Sequence, residues 1–142
     1  MTATILPAEL VLAYRQADYR VVDREFSGLL RIGEASDDLR AIFRCHAVDC
    51  AAFITACNPL GQRVSEAANR DAMDRLCRTA TDRGIAYLAG LGTDPAGLWE
   101  GEPSLLLLGL PREAAAGLGR EYAQNAIVWA GGTCVPELVL LR

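Results

Sequence analysis

Lysine is absent from this chain; all fourteen basic residues are arginine. That excludes a Schiff-base lysine, a phosphate-loop lysine and a lysine general base. Histidine is scarce too, with His46 alone. No Cys-x-x-Cys pair occurs among the five cysteines, so the usual structural zinc patterns are missing. An odd cysteine count without framework spacing argues against a disulfide scaffold. The arginines are scattered and the net charge is −4. A duplex-binding protein normally clusters its basic residues on one face, so nucleic acid is not an expected partner. No apolar run approaches the length of a membrane span; the longest centres on residues 105–108. The first ten residues lack the charged and apolar regions of an export signal. Cytoplasmic location, no membrane partner and reduced thiols are therefore expected.

What is present is ordinary globular composition, 51% apolar and 23% charged over 142 residues. A chain of this length predicts one domain, residues 1–142, able to hold a core without disulfides or metals. No repeat, low-complexity tract or long linker interrupts it.

Local patterns predict the elements. Pro7 suits the start of a helix carrying Leu10, Tyr14 and Ala17 on its apolar side. Residues 20–32 read as extended, with Gly28 marking a bulge or break. Ser36 caps a second helix, and Leu39, Ile42, Phe43 and His46 fall on one face of it. Residues 51–57 read as a buried strand stopped by Asn58-Pro59. Ser65 caps the longest helix, 66–83, with Ala68, Ala72, Met73, Leu76 and Ala80 inward. Its outer face carries the acid-before-base pairs Glu66–Arg70, Asp71–Arg75 and Asp74–Arg78. Gly84 closes it and 85–91 is the next strand. After a loop over 92–103, residues 104–110 form an apolar run expected in the centre of the sheet. Pro111 opens a helix reaching about Gln124. Strands 126–130 and 137–141 follow, turning at Gly131-Gly132. The expected fold is α/β of the α+β kind: one mixed sheet of about five to six strands, about four helices and one βαβ unit made by 51–57, the long helix and 85–91.

Ligands in such sheets bind beyond the carboxyl ends of the strands. Following the strand directions, Asn58, Arg63, Ser65, Glu102, Gln124 and Asn125 should reach one edge. Glu102 is the acid–base candidate, because Glu100 two residues away shares its face if extended and like charge raises a carboxyl pKa; otherwise the pair is a solvated acidic loop. Asn58 offers both amide ends to a ligand, or simply ends a strand as an Asn-Pro turn. Gln124 and Asn125 either line a pocket or end a helix, with Asn125 as left-handed cap. Arg63 stands before a helix N-terminus and holds an anion there, or is a solvated arginine. Trp99 is a lid or a core plug. Cys57 lies about 20 Å from His46 along the intervening strand, so a Cys–His dyad is not expected. Cys45, His46 and Cys50, with Cys134, match no zinc spacing, and no metal site is expected.

The segments AYRQADYRV, FITACNP, SEAAN, GTDPAGLWEGEPSLLLLGL and QNAIVWAG together resemble a bacterial family, domain of unknown function 3293. The resemblance runs from about Ala13 to Arg142. It implies a small bacterial stand-alone protein and no particular activity or cofactor. In the family pattern a serine is followed three residues on by glutamate and then asparagine. Ser65 and Asn69 match, but Ala68 replaces the glutamate, so the capping box has lost its second half. Asn69 joins the candidate ligand-binding residues on this ground.

Two functions follow as expectations. The first is binding of a small polar molecule at the edge formed by residues 58–65, 93–104 and 124–125, with Glu102 as general base if the protein is an enzyme. The second is a protein-interaction module without chemistry, most simply a homodimer, using an apolar face or the strand at 137–141 as an edge.

Overall fold

Ser36 and Ser65 begin helices as their short hydroxyls dictate. In a computed structural model describing residues 3–97 and 100–142, each Oγ accepts from the backbone N–H three residues on, Leu39 and Ala68, both at 3.1 Å. The helices are α1 (Ala8–Gln16), α2 (Asp37–His46), α3 (Glu66–Asp82) and α4 (Arg112–Glu121). The strands are β1 (Asp18–Val22), β2 (Ser27–Leu30), β3 (Ala51–Ile54), β4 (Tyr87–Thr93), β5 (Glu102–Leu108), β6 (Ala126–Ala130) and β7 (Glu137–Leu140).

These strands form one sheet in the order β2-β1-β4-β5-β3-β6-β7. The α+β class and the single sheet hold, with seven strands rather than five or six. The added strand comes from residues 20–32, which fold into the β1–β2 hairpin. Every neighbouring pair is antiparallel, so the sheet is antiparallel rather than mixed, because β5 separates the two strands that run the same way. β3 and β4 run in the same direction, as a βαβ unit requires. They are not neighbours, because β5 lies between them and pairs with both.

β5 is thus the middle strand, and its composition explains why. Leu106 and Leu108 enter the apolar cluster on one face, with Tyr19, Phe43 and Phe53. Leu105 and Leu107 enter the cluster on the other, with Leu76, Leu118 and Ile127. A strand buried on both sides has no place for the alternate polar residues of a half-exposed one. α2 contributes Leu39, Ile42 and Phe43 to the first cluster, while α3 and α4 contribute to the second. Each fully buried leucine, such as Leu76, is worth about 1.5–3 kcal/mol of burial.

Several local expectations are corrected. Gly28 marks no break: it lies within β2, where a Cβ would sit 2.8 Å from Asp38 Cβ, so glycine permits α2 to approach. Ala68 is exposed rather than inward. None of the three acid–base pairs of α3 closes; all six residues are exposed, where such a pair is worth little. α4 stops at Glu121, and the left-handed residue after it is Ala123 (φ 54°), not Asn125. The β6–β7 link is longer than a glycine turn and contains Cys134 at φ 59°. Among the described residues no helix is long and apolar enough to cross a membrane.

Alternating strand directions decide which ends meet. The carboxyl ends of β3 and β4 lie with the amino ends of β1, β5 and β6. α1 is tied along this edge. The Tyr19 hydroxyl donates to the Tyr14 carbonyl, the Asn125 amide donates to the Tyr14 hydroxyl, and before the helix Thr4 donates to the Arg142 carbonyl.

Candidate functional site

Asn58 follows β3 in the left-handed region, at φ 47° and ψ 65°. Asparagine tolerates this backbone better than other non-glycine residues do. The turn aims its side chain across the edge. Its Oδ1 accepts from the Val64 N–H and from Asn69 Nδ2, both at 3.1 Å. Its backbone N–H donates to Asn69 Oδ1 at 2.9 Å. The Val64 N–H can only donate, so the amide orientation is fixed, and Nδ2 points at Glu102 Oε2, 3.1 Å away.

Glu102 opens β5 and is half-buried. Burial pushes its carboxyl above the ordinary glutamate range, and the Asn58 hydrogen bond pulls partly back. Among the described residues no arginine pairs with it. The cause of the shift differs from the one expected. Glu100 is exposed and lies 3.9 Å from the equally exposed Arg63. Desolvation, not a second carboxylate, raises Glu102.

Gln124 and Asn125 are buried at the entrance to β6. Gln124 Nε2 donates to the carbonyls of Cys57 and Tyr122, both at 3.1 Å, tying the end of β3 to the end of α4. Asn125 Oδ1 accepts from the Arg142 guanidinium at 3.0 Å, and its Nδ2 donates to the Tyr14 hydroxyl at 3.2 Å. The Tyr14 phenol is raised by burial, lowered by the Asn125 bond and raised again by the Glu102 charge. The Tyr19 phenol is also raised, burial first. Both tyrosines are therefore neutral near pH 7 and sense Glu102.

The edge thus brings together Asn58, Asn69, Glu102, Gln124 and Asn125. Ser65 caps α3 instead, and Arg63 is a solvated surface residue. Trp99 lies outside the described residues. Tyr14, Tyr19 and Arg142 complete the set and were missed from the sequence. Tyr14 does fall on the apolar side assigned to the first helix, and the polar end of a tyrosine near a sheet edge is the one signal that pointed to it.

Cys57 is buried, with Sγ 3.7 Å from the Pro103 carbonyl. Burial first, and Glu102 after it, raise the thiol, which the Thr55 hydroxyl partly offsets. That shift favours the protonated thiol over the thiolate that a nucleophile needs. Among the described residues no group of three or more His, Cys, Asp or Glu is arranged to hold a metal. The His46 ring tilts against Phe26 with centroids 5.2 Å apart.

Residues 54–127 match the family described as protein of unknown function (DUF3293), over half of the chain. The chain belongs to that family. The matched stretch contains Asn58, Asn69, Glu102, Gln124 and Asn125, while Tyr14, Tyr19 and Arg142 lie beyond it. No curated protein and no solved structure matches the chain.

Chemically, the edge offers a carboxyl that takes or gives a proton closer to neutrality than an ordinary glutamate. The neutral Tyr14 phenol, within reach of the Glu102 charge, has an O–H that can donate. The amides of Asn58, Asn69 and Asn125 hold these groups in place. A half-buried carboxyl without a cation favours a ligand that brings a hydrogen-bond donor, and disfavours a strongly anionic one.

Proposed function

We propose that this edge binds a small polar molecule carrying hydrogen-bond donors, with Glu102 as the group that receives them. One observation carries the reading: a half-buried carboxyl that accepts a single hydrogen bond among the described residues, from Asn58. Structural carboxylates in folded proteins are normally matched by several donors or a cation. Asn58 and Asn69 position Glu102, and Tyr14 and Asn125 close the side formed by α1. In a reaction, Glu102 would serve as general acid or base, since its raised pKa lies nearer the pH of use.

A thermal-shift screen with nucleotides, sugars, amino acids and divalent metals tests this. A ligand at 100 times its Kd adds about 2.7 kcal/mol, several degrees for a domain of this size. The expected result is a shift with one class that is lost in Glu102→Gln and Asn58→Ala. No shift with any class, while both variants remain folded, refutes the reading.

The second reading, an interaction module, rests on β7. It is the last strand of the sheet, and among the described residues one side of its backbone has no partner strand. Edge strands recruit further strands, most simply from another copy of the chain. Sedimentation over a concentration series separates the two, because a homodimer built this way dissociates on dilution and a monomeric binder does not change.

A further inference from the structure

On the α3–α4 face, a groove of about 370 Å³ lies between α3 and the end of α4, reached at one end by Pro59 and Ala123, the chain neighbours of Asn58 and Gln124. That volume falls within the range of small-molecule sites, about 300–1,000 Å³. Its floor and sides are small and apolar: Ala56, Pro59, Ala72 and Ala123, with Tyr122 beside them. The space exists because these side chains are short. The Tyr122 hydroxyl is held by Thr79 Oγ1 at 2.7 Å, so the residue is fixed beside the opening.

Two charged residues border the groove, Arg75 and Glu121. Glu121 is already matched, because Arg83 Nη2 donates to both of its carboxylate oxygens, at 3.0 and 3.2 Å. Arg75 makes no ion pair among the described residues, and the expected Asp71 contact is not formed. The balance at the groove is one unmatched guanidinium above an apolar floor. A guanidinium takes a carboxylate through two parallel hydrogen bonds.

We propose that this groove is a second binding site, specific for small monocarboxylic acids with an apolar body, the carboxylate on Arg75 and the body against Ala56, Ala72 and Tyr122. It differs from the Glu102 edge in charge preference, since that edge disfavours anions. The two sites therefore stand or fall separately.

The test titrates isotope-labelled protein with phenylacetate and with its uncharged counterpart 2-phenylethanol, following backbone amide signals. Phenylacetate is expected to move the signals of Ala72, Tyr122 and Ala123 saturably and to bind more tightly than the alcohol. Arg75→Gln should weaken phenylacetate about tenfold, the loss of roughly one charge-assisted contact, and abolish the preference over the alcohol. Arg75→Lys should retain part of that preference, and Glu102→Gln should leave binding unchanged. Arg75 is exposed, so its variants are expected to fold, and the same spectra verify it. The proposal is overturned by the absence of saturable shifts, by equal affinity in Arg75→Gln, or by shifts centred on Asn58 and Glu102 with loss of binding in Glu102→Gln.

Discussion

Replacing Asn58 with alanine removes more than one contact, and the structure allows the loss to be apportioned. The bond from Nδ2 to the Glu102 carboxylate goes; hydrogen bonds to charged groups contribute about 1.5–3 kcal/mol. Alanine must also hold φ 47°, which costs about 1–2 kcal/mol for a residue without asparagine's local hydrogen bonding. The Val64 N–H and the Asn69 amide lose their shared acceptor, but water reaches both and offsets most of that loss. The expected destabilisation is about 3–4 kcal/mol by urea denaturation, roughly a 10–15 °C fall in Tm for this length. The effect should also depend on pH. Glu102 has a raised pKa in the folded state, so the stability it contributes is full below the unfolded carboxyl value and is lost as pH rises through the folded value. The Asn58 bond limits that loss by favouring the ionised form. Without it the folded value rises further, and the variant loses more than the wild type as the pH increases. The penalty of Asn58→Ala should therefore be smaller at pH 4 than at pH 8. A total loss below about 1 kcal/mol, or the same loss at both pH values, would refute the assignment of Asn58 as the group that holds the Glu102 carboxylate.

Glu102→Gln should behave in the opposite sense: it does not titrate, so its stability relative to wild type should improve as pH rises through the raised Glu102 value, as measured by urea denaturation across pH 4–8 in steps of about one unit. Gly90→Ala should destabilise by about 1–3 kcal/mol, because a Cβ there would sit 2.6 Å from the Phe53 ring and 3.3 Å from the Arg20 carbonyl. Phe53 cannot easily yield, being packed edge-on against Tyr19. A neutral result in equilibrium unfolding would mean that the centre of the sheet is looser than described.

Much of the local structure was legible because its causes are local. Ser36 and Ser65 cap the helices that follow, and the phase of Leu39, Ile42 and Phe43 sets the face of α2. The apolar run of β5 announced a strand covered on both faces. The meeting of Asn58, Glu102, Gln124 and Asn125 was also within reach, since strand direction alone dictates which ends coincide. It did not need the strand order: β3 and β4 run the same way whether or not β5 lies between them.

Tertiary structure alone decided the rest. Hydrophobic periodicity tells which face of a strand is buried, not against which strand it lies, so neither the insertion of β5 nor the hairpin of β1 and β2 at the sheet's other flank could be read. The charge state of Glu102 depends on how much water reaches it, and that is set by burial at the edge rather than by Glu100 two residues away. Tyr14 reaches the site because α1 is held along the edge by contacts to Asn125 and Arg142, more than a hundred residues away in the chain. Such contacts depend on where the folded backbone places each side chain, which local pattern does not encode.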